Sequence, residues 1–535
     1  MSSQNDCVFT SSERAALAPY FTNLDAPVFA LRNLPEVVKG ALFARYSRSP
    51  KSVRRLFLDE FLDEVEAGEI GEVGVERAER LYERVFDEYG DDSVAQLGGV
   101  HLACEGVSNI VTKVLEWGRL MAYLEQSTRY IAYDTQVNGR WRYVIPPELE
   151  AHPLRSEYER TLDMLFATYG EWLPKIEDHF RQVIPPEPGE AEPVYRRSIR
   201  AKALDTLRGL LPAATQANVG LFGSGQAFEA LLLRMRSHPL GEARKVAELI
   251  LQELRKVIPA FLRRVDRKDR GEIWSAYLRA TREATREVTR RLTSSIAPEP
   301  RPEVTLTEFD PDGEVKVVAA AMYPHTNLPD DQLLAMVRRM TAADREAVLR
   351  AYVGERRNRR HKPGRAFERT SYRFDVLTDY GAFRDLQRHR MLTIEWQPFS
   401  PEHGYGTPTA IIEAGAQDAW ERALEQSRAL YHKLQRADLE EVAPYALCFA
   451  YRIRFYLHMN AREAMHILEL RTSPQGHPVY RRVCQEMHRL IADQAGHRAL
   501  AATMQFVSHE DVKLERLQAE RRREERRRQH DSFAP

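Results

Sequence analysis

The sequence predicts a helix-rich α/β fold of the α+β kind, with two homologous halves that each carry a small sheet packed by helices. Apolar residues recur at intervals of three and four over long stretches, for example at Val53, Leu56 and Phe57, which indicates amphipathic helix. A shorter apolar run at residues 315–322 has the length of a strand. Two stretches that begin about 270 residues apart repeat one residue pattern, which predicts the two halves.

Length and charge bound the possible classes of protein. The chain has 535 residues, enough for about two to four domains with buried cores. Lysine plus arginine number 78, and aspartate plus glutamate also number 78. Because the net charge is zero, no global field draws the chain to nucleic acid or to a membrane surface. We therefore expect neither as a partner.

Cysteine usage and the lack of targeting segments predict a cytoplasmic protein. The four cysteines, Cys7, Cys104, Cys448 and Cys484, lie far apart without Cys-x-x-Cys spacing, which argues against a zinc site or a disulfide framework. No apolar run reaches the roughly 18 residues that a membrane span needs. The first residues lack the basic and apolar regions of a signal peptide.

Helical periodicity dominates the first 300 residues. It predicts helices at residues 34–67, 72–89, 109–123, 148–183, 197–236 and 241–292, the last of them broken near 266–271. Residues 130–145 have strand and turn character, because aromatic residues surround an Asn138-Gly139 turn and Pro146-Pro147 ends the stretch.

Prolines at residues 297–302 and 310–313 mark the clearest domain boundary. We predict an N-terminal half at 1–300 with extra helices, a C-terminal half at 310–510 and a charged tail at 511–535. The C-terminal half should contain a strand at 315–322, helices at 328–349 and 413–434, a helix carrying Arg388-His389-Arg390, and a repeat of residues 210–235 at 446–470. Arginine and glutamate interleave in the tail, which predicts a solvated helix with ion pairs four residues apart.

Arg388-His389-Arg390 is a candidate anion site. Each guanidinium carries five donors and no acceptor, so the two arginines cannot both be buried without anions. A phosphate or a diphosphate is the obvious counter-ion. Taken alone, however, such a tripeptide is more often a solvated basic patch.

A second stretch, residues 115–130, argues against that simpler interpretation. The two stretches align without gaps, with Trp117-Gly118-Arg119 over Arg388-His389-Arg390 and Ser127-Thr128-Arg129 over Pro398-Phe399-Ser400. The first stretch keeps Ser-x-Arg and lacks Arg-His, and the second keeps Arg-His-Arg and lacks Ser-x-Arg. Read together, they resemble the signature of the flavin-dependent thymidylate synthases, which is Arg-His-Arg, seven residues, then Ser-x-Arg.

Two later motifs divide between the halves in the same way. Residues 460–471, Asn-Ala-Arg-Glu-Ala-Met-His-Ile-Leu-Glu-Leu-Arg, resemble a helix of this family, whereas the matching residues 224–234 lack the Asn and the His. Conversely, Arg208 in Arg-x-x-Leu-Pro matches a phosphate-binding arginine of the family, where the second half has Pro444. The pattern fits a diverged tandem duplication in which two copies share one site and the redundant site has decayed.

The resemblance implies a role for each matched residue. It assigns the nucleotide, chiefly its phosphate, to Glu125, Gln126, Ser127, Arg129, Arg208 and Arg471. It assigns the flavin to Arg388, His389, Arg390, Asn460, Arg462, His466 and Ser93. Arg388 is also expected near the uracil, which makes it the catalytic candidate.

The same resemblance implies the reaction and its partners. Enzymes of this family pass a hydride from flavin to a one-carbon unit attached to C5 of dUMP. The implied cofactor is FAD, with a reduced pyridine nucleotide as electron donor, and the implied substrates are dUMP and methylenetetrahydrofolate. If each half replaces one subunit of the family tetramer, the chain forms a homodimer. The cysteine-dependent class of thymidylate synthase is not indicated, because no Pro-Cys pair occurs.

Departures from the family pattern leave alternatives open. The histidine of the family's His-x-x-x-x-Glu-His segment is Asp91 in the first half and Pro363 in the second, where only Ser93 and Glu368 match. The glutamine three residues before Arg-His-Arg is Asp385, an acid that would repel a phosphate unless it faces elsewhere.

One alternative is a flavin- or nucleotide-binding homologue that no longer makes dTMP. Another is a helical metalloprotein, because Glu463-Ala-Met-His466 places a carboxylate and an imidazole one turn apart. Di-iron bundles need two such pairs, and only one is present, so we expect no metal.

Overall fold

The computed structural model describes residues 9–47, 49–62, 96–517, 519–522 and 524–525. The chain divides into two compact units. The first comprises Met1–Glu105, Val114–Glu125 and Asn218–Ile296, and the second comprises Gly106–Lys113, Gln126–Ala217 and Ala297–Pro535. The helix predicted at 72–89 and the candidate residue Ser93 lie outside the described residues.

Short capped helices begin the first unit. Helix α1 (Ser11–Leu17) has a capping box, in which Thr10 and Glu13 each accept a hydrogen bond from the other's backbone amide. The helix predicted at 34–67 is present as α2 (Glu36–Tyr46) and α3 (Val53–Glu60), with residues 63–67 outside the described range. Pro50 lies in the break, where its missing amide hydrogen cannot contribute a helical bond.

The region before Ser127 is a strand, where the sequence predicted helix. Strand β1 (Gly99–Ser108) leads through α4 (Asn109–Leu115) to strand β2 (Met121–Glu125). The helix predicted at 109–123 therefore ends early. A short apolar run is ambiguous between helix and strand, and the hydrogen-bond partners of β2 come from a strand much later in the chain.

Residues 130–145 form a turn flanked by isolated bridges. Asn138 and Gly139 have φ angles of +52° and +73°, which confirms the predicted turn. The only pairings described there are single bridges, Val137 with Arg140 and Tyr143 with Thr215, so the predicted strand character is wrong.

A series of helices, interrupted by one strand, follows. Helix α5 (Arg155–Val183) confirms the prediction for 148–183, and α6 (Glu192–Leu207) comes after the proline-rich loop. Strand β3 (Gln216–Ser224) interrupts the helix predicted at 197–236 and precedes α7 (Gly225–Arg236). Helices α8 (Gly241–Leu254) and α9 (Gly271–Thr293) confirm a break near 266–271.

Beyond the proline-rich boundary, strand β4 (Val304–Phe309) is followed by α10 (Gly313–Met322), α11 (Asp330–Arg339) and α12 (Ala342–Val353). The strand predicted at 315–322 is wrong, because these residues are helical. Val317, Val318 and Ala321 are buried at helical spacing, and the alanine-rich end of the run favours helix. Helices α11 and α12 account for the helix predicted at 328–349.

The remaining elements complete a four-stranded sheet and add the helices that accompany it. They are β5 (Ser371–Asp379), α13 (Tyr380–Leu386), β6 (Thr393–Trp396), α14 (Thr409–Glu413), α15 (Gln417–Arg436), β7 (Arg452–Asn460), α16 (Ala461–Arg471), α17 (Pro478–Asp493) and α18 (Arg498–Thr503). Helix α15 confirms the prediction for 413–434. Strand β5 pairs antiparallel with β4 and β7, and β6 pairs antiparallel with β7.

The two sheets repeat one topology, which confirms a mixed, helix-rich fold of two homologous halves. The series β1-α4-β2 then β3-α7 recurs as β5-α13-β6 then β7-α16. The strand orders are β1-β3-β2 and β4-β5-β7-β6, so the last strand of each series lies between the other two, and β4 adds an edge. The predicted repeat of 210–235 at 446–470 is the strand–helix pair at the end of each series.

None of the helices in the described part of the chain has the length and apolar character needed to cross a membrane.

A fully buried ion pair fixes the chain beyond α12 to the end of α16. Both guanidinium nitrogens Nη1 and Nη2 of Arg356 donate to the carboxylate of Glu469 at 2.6 Å, and each side chain is 1% exposed. Such pairs add little when compared with apolar packing, but removing one partner leaves a buried charge without compensation.

We therefore expect Glu469→Gln to lower the free energy of unfolding by about 3–5 kcal/mol. Urea denaturation of the wild type and the variant measures this loss. The control is Glu425→Gln, which removes an exposed partner of Arg428 and should cost less than about 1 kcal/mol. Equal losses in the two variants would contradict the prediction.

Candidate functional site

Arg388-His389-Arg390 lies in the turn between α13 and β6, and the predicted helix ends before it at Leu386. The side-chain amide of the buried Gln387 donates to the carbonyl of Lys113 at 3.1 Å. This hydrogen bond fixes the position of the C-terminal end of α13. The turn then sends the three side chains into different environments: His389 is buried, Arg388 is half-buried and Arg390 is exposed.

His389 belongs to a network with two residues of α16. Its Nδ1 lies 3.4 Å from Oε1 of Glu463, and the other carboxylate oxygen lies 3.3 Å from Nδ1 of His466. On the opposite side of the ring, Arg471 donates through Nε to Nε2 of His389 at 2.9 Å. Because Nε2 is the acceptor, the neutral ring carries its proton on Nδ1 and donates it to Glu463.

Burial sets the protonation of this network. Burial lowers the pKa of His389 to about 4, and the Arg471 guanidinium adds to this effect, although the hydrogen bond with Glu463 opposes it. Burial alone would raise the pKa of Glu463, but its bonds with His389 and His466 hold that pKa at about 2. At neutral pH the network is therefore a carboxylate between a neutral buried imidazole and His466.

The same three residues form a candidate metal-ligand set. One ligand atom from each of His389, Glu463 and His466 lies within 4.8 Å of the others, so the fold adds a histidine to the Glu-x-x-His pair. A metal on Nδ1 of His389 would require the proton to move to Nε2, where it would oppose the Arg471 donor. The arrangement of donors therefore favours a hydrogen-bonded network over a cation site.

The other flavin candidates on α16 are positioned by backbone contacts. Asn460 caps the helix, and its Oδ1 accepts from the amide of Glu463 at 2.9 Å. Arg462 donates through Nε to the carbonyl of Pro363 at 3.1 Å, and its Nη1 lies 3.6 Å from Glu368. Arg462 thus links α16 to Pro363 and Glu368, which align with the first His and the Glu of the family's His-x-x-x-x-Glu-His segment.

Arg129, the main nucleotide candidate, is held by an acid that the sequence analysis did not identify. It binds Asp205 of α6 through two hydrogen bonds of 2.8 and 2.7 Å, and it donates to the Tyr480 hydroxyl at 2.9 Å and the Gln475 carbonyl at 3.2 Å. Burial alone would raise the pKa of Asp205, but Arg129 outweighs that effect and keeps it well below its usual range.

Asp385 occupies the centre of the arginine cluster. Arg208 donates through Nη1 to one carboxylate oxygen at 3.2 Å, and Nη1 of Arg471 lies 3.9 Å from the other. Burial would raise the pKa of Asp385, but Arg208, Arg388, Arg471 and Arg129 together lower it far below its usual range. The acid that should repel a phosphate therefore acts as an internal anion.

Space for Arg208 depends on a glycine in α13. A Cβ atom at Gly381 would lie 3.1 Å from both Nε and Nη2 of Arg208. The guanidinium therefore packs on the backbone of the helix that carries Asp385. Its Nη2 is buried and has no hydrogen-bond partner among the described residues.

Residues of the two halves contact one another within the second unit. Arg129 of the nucleotide set contacts Gln475 and Tyr480 of the C-terminal half, and Arg384 of α13 donates to the Thr128 hydroxyl at 3.3 Å. Ser127 accepts from the amide of Arg129 at 3.2 Å, and Gln126 precedes it in the same unit.

Glu125 belongs instead to the first unit. It is the last residue of β2, it is buried, and it pairs with Val219 of β3.

The tail contributes a residue that sequence reasoning missed. Arg516 is buried, donates to the carbonyl of Arg129 at 3.0 Å, and places its guanidinium carbon 3.9 Å from the Tyr130 ring centre. A buried arginine in a charge-rich tail has no local signal, because its partners lie almost 400 residues earlier.

The described part of the tail is docked against the rest of the second unit, whereas the sequence predicted a solvated helix. Its charges pair with the region around α6: Glu515 with Lys202, Glu520 and Glu524 with Arg197, and Arg521 with Glu187 and Glu190. A run of alternating charges is compatible with ion pairs inside the tail and with ion pairs to another segment. Only the folded structure shows that these charges pair with the region around α6.

Comparison with known proteins gives a consistent assignment. The sequence profile described as "Thymidylate synthase complementing protein" (Thy1) matches residues 41–260 and 305–495, one segment in each half. A UPF0159 protein of Chlamydia muridarum is 38% identical over 524 residues, which cover 96% of this chain and 98% of that protein. UPF0159 protein Ta1429 of Thermoplasma acidophilum is 31% identical, covering 90% of this chain and 97% of that protein.

More distant matches cover about a third of the chain. A flavin-dependent thymidylate synthase of Clostridium tetani is 25% identical over 174 residues, which are 32% of this chain and 64% of that protein. A solved structure of a UMP/dUMP methylase, PolB from Streptomyces cacaoi, bound with 5-Br dUMP, is 21% identical. It covers 37% of this chain and 94% of that chain, with a TM-score of 0.29.

The buried imidazole should make stability depend on pH. Below pH 6.5, the ordinary His pKa, the unfolded chain takes up a proton on His389, whereas the folded chain does so only near pH 4. Stability is therefore lost as the pH falls through this window, by roughly 1–3 kcal/mol from this residue.

His389→Asn cannot take up that proton, so its urea midpoint should fall less than that of the wild type between pH 7 and about pH 4.5. His325→Asn, which removes an exposed histidine, should follow the wild-type curve. Parallel curves for wild type and His389→Asn would show that His389 does not titrate in this way.

Proposed function

Since the chain belongs to the thymidylate synthase complementing protein family, we propose that it is an FAD-dependent enzyme that converts dUMP to dTMP. In this proposal methylenetetrahydrofolate donates the one-carbon unit, and a reduced pyridine nucleotide supplies the electrons. The single observation that carries the proposal is that Arg208 of the N-terminal half and Arg471 of the C-terminal half both lie against Asp385, with Arg129 and Arg388 close enough to lower its pKa.

Charge supports a nucleotide monophosphate as the substrate. Four guanidiniums, those of Arg129, Arg208, Arg388 and Arg471, act on Asp385. Arg129 also pairs with Asp205, which lies 3.5 Å from a fifth guanidinium, that of Arg516, and Arg208 acts on a third acid, Asp379. Five guanidiniums thus face three acids, and this excess of positive charge suits the nearly dianionic phosphate of dUMP at neutral pH. A phosphate in this cluster would also give the buried Nη2 of Arg208 an acceptor.

The flavin candidates suit a bound dinucleotide. Arg390 is exposed and Arg462 is 40% exposed on its side chain, so both can reach a ligand. When bound, FAD supplies the hydride that reduces the one-carbon unit. In this proposal Arg388 orients the uracil, and the His389–Glu463 contact holds the imidazole proton on Nδ1, away from Arg471.

The test is formation of dTMP by purified protein from dUMP, methylenetetrahydrofolate, FAD and a reduced pyridine nucleotide. Omission of each component in turn is the control. We expect dTMP only with the full set, and we expect Arg388→Ala to abolish it while the protein stays folded. Bound flavin and bound dUMP without dTMP would refute the proposed reaction.

That outcome would favour the second candidate, a flavin- and nucleotide-binding homologue that no longer makes dTMP. The position of Asp385 favours this candidate specifically, because its carboxylate competes with a phosphate for Arg208 and Arg471. Pro363, in place of the family histidine, is a second departure beside α16.

Asp385→Asn tests this competition directly. The amide can still accept from Arg208 but no longer repels a dianion, so we expect about 10-fold tighter binding of dUMP and unchanged binding of deoxyuridine. Calorimetric titration of both ligands measures the difference. Asp375→Asn, which removes an acid paired with Arg454 on β5, is the matched control. Weaker dUMP binding in Asp385→Asn would mean that the carboxylate contacts the nucleotide itself.

The duplication predicts one FAD and one dUMP per chain. The opposite pairing of halves would offer Pro398-Phe399-Ser400 to the phosphate, and there Phe399 is buried with its ring centre 4.4 Å from that of Tyr380. Proline lacks a backbone donor, so no second phosphate site is expected. Flavin absorbance per chain and a dUMP titration measure the ratio. Two FAD molecules per chain would contradict the loss of the second site.

A further inference from the structure

A strongly basic loop lies beside the flavin candidates and has no role in the function proposed above. Residues 355–362, here called the basic loop, have the sequence Glu-Arg-Arg-Asn-Arg-Arg-His-Lys. The loop begins where α12 ends at Val353, and Gly354 turns the chain with a φ angle of +62°, which glycine adopts readily.

Arg356 fixes the basic loop in one conformation. Its guanidinium is bidentate on the buried Glu469 of α16 and also donates to the carbonyls of His361 and Thr503. The Gln505 side chain donates to the carbonyl of Arg356 at 2.6 Å. The basic loop is therefore held at both its backbone and its buried side chain, whereas Arg359, Arg360 and Lys362 are exposed.

A polar cavity of about 150 Å³ is lined by Arg359, Arg360 and Lys362 of the basic loop and by His466 and Glu469 of α16. Glu469 adds no free charge, because both of its oxygens bind Arg356. In the part of the chain that the structure describes, the three cations have no carboxylate oxygen within 4.0 Å. The cavity is therefore a site of uncompensated positive charge.

The ionisation of Lys362 is consistent with such a site. Burial lowers its pKa, and Arg462 and Arg359 act in the same direction, whereas Glu463 and Glu469 oppose them. A bound anion would stabilise the ammonium form.

The cavity is continuous with the flavin candidates. His466 lines it and lies beside Glu463 in the network described above. Arg462, one turn before His466, donates to the carbonyl of Pro363, the residue that follows the basic loop. A pocket for a whole drug-sized ligand measures roughly 300–1,000 Å³, so this smaller polar cavity fits phosphate groups better than a ring system.

We infer that Arg359, Arg360 and Lys362 of the basic loop bind the diphosphate of a dinucleotide cofactor whose ring system lies along α16. This inference rests on the proposed function, which places FAD at α16. A pyridine dinucleotide carries the same diphosphate, so the experiment must separate the two sources.

The experiment compares riboflavin, FMN and FAD, which carry no phosphate, one phosphate and a diphosphate. Their binding to the wild type and to the double variant Arg359→Ala/Arg360→Ala is measured by flavin fluorescence. We expect the double variant to lose about 10- to 100-fold in FAD affinity, less in FMN affinity and nothing in riboflavin affinity. The matched control is Arg350→Ala/Arg357→Ala, which removes two exposed arginines paired with Glu346 and Glu355 and should bind FAD like the wild type.

The other outcomes are decisive as well. Equal FAD affinity in the wild type and the double variant would overturn the flavin assignment, and a selective loss of NADPH binding would then assign the loop to the pyridine dinucleotide. If the wild type binds no flavin, the proposed function fails, and titration with inorganic pyrophosphate tests the loop separately. Equal binding of pyrophosphate and NADPH by both proteins would overturn the inference entirely.

Discussion

The carboxylate of Asp385 is the shared counter-charge of the arginine cluster around the candidate site. Guanidiniums are costly to bury without a counter-ion, and Arg208 and Arg471 both face this acid. Asp205 does the same for Arg129. These two carboxylates allow arginines from distant parts of the sequence to approach one another, while the cluster as a whole keeps an excess of positive charge.

The arginine cluster around Asp385 draws its members from both halves of the duplicated chain. Arg129 and Arg208 come from the N-terminal half, and Arg388 and Arg471 come from the C-terminal half. In the proposed function, one complete set of residues is assembled from both halves in each chain. Phe399, which aligns with the Ser-x-Arg motif of the first half, is buried and packs against Tyr380, so in this proposal its position serves packing instead of binding.

Ion pairs between residues far apart in sequence also position the segments that surround the candidate site. Arg356 and Glu469 fix the basic loop to α16, and the tail is held against α6 by pairs such as Lys202 with Glu515. Because each pair is anchored at a partly or fully buried side chain, these charged segments have defined positions, unlike charge runs that remain in water. The tail thereby brings Arg516 onto the backbone of Arg129.

The sequence by itself determined the family, the tandem repeat, the helix-rich class and the list of candidate residues, because motif spacing and helical periodicity are local properties. It failed for the strand at 121–125 and the helix at 313–322, because a short apolar run is compatible with both and the choice depends on distant partners. The tertiary structure alone placed Asp205 on Arg129, turned Asp385 into an internal anion and docked the tail. Each of these contacts joins opposite charges between 76 and 313 positions apart, and the sequence pattern carries no information about which opposite charges will meet.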